Sequence, residues 1–313
     1  MKGGFILEEM ILKNAIENAI LNSESVSSLG EVATYIPALG KVDPDNYGVC
    51  LTDICGNSYA YGDEHIRFSI QSISKVFSLI LALMDSGRDE VYKKVGTEPT
   101  KYQFNSLIPI DDRASNPMIN AGALTTTSLI YGNSARGKSR RLLELIEDLS
   151  GSEEICVLEE IYRSELASAD RNLAISYYLR SKEIFTDPAE IILDAYTRNC
   201  SIGMNIRELA KAASILANGG IDYSSGKILI PKDVVQVTLA QMASCGMYEE
   251  SGEFLLEVGF PAKSGVGGAI MGIVPGKCGI CTYAPRLDVA GNSVRGKFIL
   301  EELSKTLDFN IFA

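Results

Sequence analysis

Residues 68–85 read FSIQSISKVFSLILALMD, and this stretch constrains the fold more than any other. From Val76 to Met84 the side chains are apolar almost all the way round a helix. Such a helix has no face to offer to water, so other elements must enclose it on every side. The chain of 313 residues is long enough to do so, as one large domain or two.

The elements available for that enclosure fall into three parts. Before the buried helix, residues 8 to 22 place apolar side chains at helical spacing. YGVCLTDICGNSYAYGD, residues 47–63, alternates about Gly56-Asn57 and predicts two strands joined by a turn. From about residue 90 to 205 helical patterns dominate, in RRLLELIEDLS, EEICVLEEIYRSELAS and AEIILDAYTRNCS. NIRELAKAASILANGG predicts a helix with glycines just past its end, and PKDVVQVTLAQMAS one with Pro231 in its first turn. Strand patterns return in AKSGVGGAIMGIVP and GICTYAP, and a last helix follows GNS from about residue 293. The expected fold is mixed α/β (α+β). Early and late strands pair in one antiparallel sheet covered by helices, and the middle forms a helical lobe. In residue terms, 1–89 and 206–313 make a discontinuous sheet domain and 90–205 the lobe.

Composition removes several functions. The net charge of −11 argues against sequence-blind nucleic-acid binding, which needs a basic face. No window approaches the roughly 18–20 apolar residues of a membrane span. The N-terminus, MKGGFILEEMILKNAIENAI, lacks the apolar core of a signal peptide, so a cytoplasmic location is expected. Seven scattered cysteines suit reduced thiols. Cys278 and Cys281 form one C-x-x-C with neither a second pair nor histidines nearby, so buried thiols are expected rather than a zinc site. The one histidine, His65, sits in polar GDEHIR and reads as a solvated loop residue. Catalysis through Ser-His-Asp or Cys-His therefore has little to work with.

Three motifs remain. In S-x-x-K, Ser72 and Lys75 share a helix face about 4.5 Å apart along the axis. A helix start supplies free N–H groups, and burial lowers a lysine pKa until the neutral amine can serve as base. The alternative is a serine cap beside a lysine whose stem lies along apolar surface. PAKSGVGG, residues 261–268, adds K-S-G before a strand, and the pair of motifs is the pattern of penicillin-recognising serine enzymes. Gly132 to Ser139, GNSARGKS, matches the phosphate-binding pattern G-x-x-x-x-G-K-S. A true P-loop follows a buried strand, whereas NAGALTTTSLIY precedes this one.

Several strings together resemble the serine-dependent glutaminases, whose fold is like that of the serine β-lactamases. They are VATYIP, GDEHIRFSIQSISKVF, NPMINAGA, ADRNLAISYYL, LDAYTRNCS, LANGG, CGMYEESGEF, PAKSGVGG and LDVAGNSVRG, in family order from about residue 30 to 296. EPTKYQFNS departs from the more usual EPSG followed by FNS, with Thr100 and Lys101 in place of a small pair. The resemblance implies hydrolysis of L-glutamine to L-glutamate and ammonia with no metal or organic cofactor. It implies Ser72 as nucleophile, Lys75 as its partner and Tyr248 beside them. It places the oxyanion donors on the backbone of Ser72 and Val266. It assigns the substrate's amino-acid end to Asn120, Glu165, Asn172 and Tyr196, with Tyr35 bordering the site. A homodimer or homotetramer is implied too. A penicillin-recognising hydrolase and a P-loop protein using Gly132–Ser139 are the alternatives to test.

Overall fold

The computed structural model describes residues 9–108 and 110–313; the first eight residues, with Glu8 of the expected first helix, lie outside them. Helix α1 (Glu9–Ser23) leads to a short strand β1 (Glu31–Val32) and then to the hairpin β2 (Gly48–Asp53) and β3 (Ser58–Gly62). Asp53 and Gly56 make its turn, with Gly56 at φ +93° and the Asp53 carboxylate accepting from the Cys55 and Asn57 N–H groups. Strand β4 (Phe68–Ser69) and a 3-10 turn (Gln71–Ile73) introduce α2 (Ser74–Lys94). The middle holds α3 (Asn120–Leu129), α4 (Ala135–Ser150), β5 (Cys156–Val157), α5 (Glu159–Ala167), α6 (Asp170–Ser181) and α7 (Ala189–Cys200). There follow β6 (Ile202–Met204), α8 (Ile206–Ala217), α9 (Lys232–Cys245) and α10 (Ser251–Glu257). The chain closes with β7 (Ala262–Ser264), β8 (Ala269–Val274), β9 (Cys278–Tyr283), β10 (Arg286–Leu287) and α11 (Val294–Leu307).

The expected sheet is present. Its order is β3-β2-β9-β8-β7, antiparallel throughout, with Val49 opposite Thr282 and Ile270 opposite Thr282 on its other side. Both faces are covered, so β8 and β9 are buried along their whole length. On one face Val49, Leu51, Ile270 and Ile280 pack with α1 and α11. On the other, Cys50, Met271 and Cys281 join the large core around α2 and α8. Cys278 and Cys281 fall in different cores because residues three apart on a strand face opposite ways. Both thiols are buried and free. His65 is 89% exposed.

The buried helix behaves as its composition demands: every residue from Ser74 to Leu83 is buried. The run ends one residue short of expectation, since Met84 is 42% exposed. Gly87, at φ +78°, then breaks the helical geometry. A second difference lies in EEICVLEEIYRSELAS, expected as one helix. Cys156–Val157 instead form β5, which pairs with β6, and β6 pairs with β4. The run Ile155-Cys156-Val157-Leu158 has the shape of a strand edge, and the helix begins only at Glu159. Among the described residues, no helix is long and apolar enough to cross a membrane.

Candidate active site

The small sheet positions the serine. Strand β4 is fixed by β6, and the Ile70 N–H donates to the Ile202 carbonyl at 2.9 Å. The next residue, Gln71, takes φ +48°, a left-handed conformation that is costly for a side chain of its size. Ser72 therefore sits in a 3-10 turn just ahead of α2, not within the helix, while Lys75 occupies the first turn of α2. Beside this turn lies the loop after β7. A Cβ at Gly265 would stand 2.5 Å from the Ile70 carbonyl oxygen, and one at Gly267 2.4 Å from that of Ser69. Only glycine permits that approach, and it brings Val266 to the cleft that Ser72 lines. Among the described residues, the backbone N–H groups of Ser72 and Val266 take no part in the turn and loop hydrogen bonds around them.

Lys75 is fully buried, and its Nζ donates to Asn120 Oδ1 at 2.7 Å. The Asn120 amide in turn donates to Asn172 Oδ1 at 2.9 Å, and the Tyr196 hydroxyl donates to Asn120 Oδ1 at 3.2 Å. Burial strips water from the ammonium and lowers the Lys75 pKa to about 8, against an upward pull from Cys200 and Glu165. Glu165 is buried as well; burial raises its pKa to about 7, opposed by a hydrogen bond from Gln71 and by the Lys75 charge. The Gln71 amide donates to Glu165 Oε2 at 3.2 Å. Burial pushes the Tyr248 phenol up to about 12, and interaction with Ser72 and Ser264 pulls against it. Tyr248 is itself at φ +55°, and its hydroxyl lies 3.4 Å from the Ser264 carbonyl oxygen.

Ser72, Asn120, Glu165, Asn172, Tyr196, Val266 and Tyr35 line one narrow cleft, so seven residues expected at the site converge. Lys75 and Tyr248 do not line it. Lys75 stands behind Asn120, and Tyr248 packs its ring on Phe104, 4.9 Å away between centroids, with its phenol turned to the Ser72 side chain. Four further residues belong to the arrangement and were not singled out by sequence. Gln71 holds Glu165, and Phe104 lines the cleft and packs on the Tyr248 ring. Asn105 also lines the cleft, and its buried Oδ1 has no hydrogen-bond partner. Lys263 is fully buried, with Nζ bonded to the Ser264 carbonyl at 2.6 Å and lying 4.0 Å from the Tyr248 ring centroid. Burial, then the Lys75 charge, drives its pKa well below the ordinary lysine value. The K-S-G motif was a signal for Lys263 and FNS one for Phe104 and Asn105, while Gln71 lies inside the quoted string around Ser72 without a role being read for it.

The P-loop reading is overturned. The segment before Gly132 is helix α3, not a strand. Ser134 caps α4, accepting from the Gly137 N–H at 3.1 Å. Lys138 turns inward and donates to the carbonyls of Ser128 at 2.9 Å and Ile130 at 2.7 Å. Its ammonium satisfies the open C-terminal end of α3, where a phosphate has no access.

The family model "Glutaminase" matches residues 30–312. A glutaminase of Clostridium tetani (strain Massachusetts / E88) is 44% identical over 306 residues, covering 96% of this chain and all of that one. The solved structure of a probable glutaminase superposes with a TM-score of 0.94 at 37% identity, covering 98% of this chain and 99% of that chain. A second solved structure is the covalent complex of a Bacillus subtilis glutaminase with 5-oxo-L-norleucine, formed by reaction with 6-diazo-5-oxo-L-norleucine. It matches with a TM-score of 0.86 at 36% identity over 97% of this chain and 99% of that one.

Proposed function

The chain belongs to the glutaminase family, and from that premise we propose that it hydrolyses L-glutamine to L-glutamate and ammonia through an acyl-enzyme on Ser72. The observation that carries this reading is a cleft that holds a serine and a buried carboxylate steadied by the Gln71 amide, with a desolvated lysine one helical turn behind that serine. Glu165 suits the ammonium of a free amino acid. Asn172 and Tyr196 suit its carboxylate, and the span from that anchor to Ser72 selects glutamine over the shorter asparagine.

Lys75 acts as the base. Near pH 8 much of it is neutral, whereas a Tyr248 phenolate would need a pH near 12. The Ser72 proton passes to Lys75, directly or by way of Tyr248, as Oγ attacks the δ-carboxamide carbon. The N–H groups of Ser72 and Val266 receive the developing oxyanion. Tyr248 then hands a proton to the departing ammonia and recovers one from Lys75, and water, giving its proton to the freed Lys75, cleaves the ester. Gln71 keeps Glu165 aimed into the cleft before substrate arrives.

The two-part division at residues 89 and 206, the cytoplasmic location and a homodimeric or homotetrameric state are parts of the same proposal. Limited proteolysis, fractionation and sedimentation test them. The chemistry is tested by ammonia release from L-glutamine, with Ser72→Ala run beside the wild type. Activity confined to the wild type, and labelling of Ser72 by 6-diazo-5-oxo-L-norleucine, are the expected results. A folded wild type that releases no ammonia but is labelled by a fluorescent penicillin would replace this reading with the penicillin-recognising one.

A further inference from the structure

The cleft does not end at Ser72. At Tyr35, Phe104 and Val266 it opens into a second groove, with a volume of about 650 Å³ against about 90 Å³ for the cleft. The groove walls are mostly apolar, from Leu29, Ala33, Leu287, Val289, Ala290 and Val294. Its charged lining residues are both acidic: Asp288, held by Lys297, and Glu31, which stands exposed. A volume of this size and lining is that of a small-molecule pocket.

The groove joins the cleft on the leaving-group side. Gly291 lines it, and a Cβ built there would lie 3.5 Å from Val266, 3.8 Å from the Tyr248 ring and 3.9 Å from Phe104. The missing side chain leaves the passage open beside the phenol that protonates the departing nitrogen. Ammonia needs none of this space. A substituent on the amide nitrogen, leaving past Tyr248, would enter it.

We propose that the groove receives the N-substituent of γ-glutamyl amides of apolar amines, and that the enzyme hydrolyses these compounds as well as glutamine. The proposal rests on the Ser72 mechanism above. Oγ bonds to the δ-carbon as its proton passes to Lys75, the C–N bond breaks, and the amine leaves with a proton from Tyr248, which Lys75 replaces. One water then cleaves the ester, giving glutamate and the free amine. The acidic lining disfavours leaving groups that carry a carboxylate, so γ-glutamyl amino acids are excluded from the class.

The test compares L-glutamine, L-γ-glutamylbenzylamide and L-γ-glutamylglycine on the wild type and on Ala290→Phe, which fills the groove without touching the cleft. Benzylamine is no better a leaving group than an ordinary alkylamine, so its release reports the groove and not an activated bond. The expected kcat/KM for the benzylamide is within about tenfold of glutamine, with the glycine compound about a hundredfold lower. Ala290→Phe should cut benzylamide turnover about tenfold or more and leave glutamine unchanged. Glutamine turnover without benzylamide turnover overturns the groove and leaves the glutaminase reading standing. Benzylamide turnover that Ala290→Phe does not alter overturns it as well. A wild type inactive on all three removes the underlying mechanism.

Discussion

Two helices of this chain begin with a lysine that looks chemical in the sequence. Lys75 follows Ser72 at the start of α2, and Lys138 precedes Ser139 in the first turn of α4. Both are buried, at 0% and 3% exposure. What separates them is their partners. Lys138 has two carbonyl oxygens within 2.9 Å and Asp187 at 3.4 Å, so its donors are answered. Lys75 has one amide oxygen and, 5.6 Å away, the face of the Phe104 ring. Burial takes the water from this ammonium and little replaces it, so it gives up its proton readily, which suits Lys75 to act as a base.

The comparison breaks first on activity. Ser72→Ala or Lys75→Ala should lower kcat/KM for glutamine by about 10⁴-fold, whereas Lys138→Met should leave it within about threefold. Loss of turnover in a folded Lys138→Met protein would erase the distinction. A pH profile sharpens it. The proposed mechanism needs Lys75 neutral and Glu165 ionised. With pKa values near 8 and 7, kcat/KM should fall about tenfold per pH unit below 8 and about a hundredfold per unit below 7. A single-slope limb down to pH 6 would remove one of the two groups from the mechanism. Denaturant titration tests the structural lysine. Lys138→Met leaves the Ser128 and Ile130 carbonyls unanswered, while the half-exposed Asp187 turns to water, and should cost roughly 3 kcal/mol.

The smallest effect concerns Glu165. Its folded pKa of about 7 lies above the ordinary value of 4.5, so the folded state binds the proton more tightly than the unfolded one. Its ionisation therefore subtracts stability as pH rises between those values, and the penalty is complete above 7. Glu165→Gln should gain about 2 kcal/mol at pH 8, and the gain should vanish near pH 4. The same change should raise KM about thirtyfold, since the ammonium loses its counter-charge. Equal stability of the two proteins at both pH values would contradict the burial of this carboxylate.

Legibility followed the same division between local and distant causes. The buried helix, the hairpin at Gly56-Asn57 and the late strands could be read because periodicity is local. Strands β5 and β6 could not. They span two and three residues, too few for a period, and exist because β4 needs a partner. At the site, ordered motif strings marked the residues that line the cleft. They did not show that Ser72 would precede α2 in a 3-10 turn, since the left-handed Gln71 is imposed by β6 on one side and the Gly265–Gly267 approach on the other. The Gln71–Glu165 contact is set by the fold and not by any neighbour in sequence. The GKS string shows the converse error. A pattern of letters carries no chemistry until its surroundings supply it.

One consequence of the sheet concerns the order in which the chain is made. Strand β2 emerges early from the ribosome, yet its inner partner is β9, with Val49 opposite Thr282. Until that late segment arrives, β2 can pair only with β3, and a lone two-stranded hairpin is marginal in water. Val266, the second oxyanion donor of the proposed mechanism, lies in the same late segment. The proposed nucleophile is thus synthesised long before the rest of its site. Closing so long a loop is slow, and a nascent or truncated chain carries Ser72 without the groove, the second N–H or Tyr248. Connectivity makes this enzyme a product of the finished chain only.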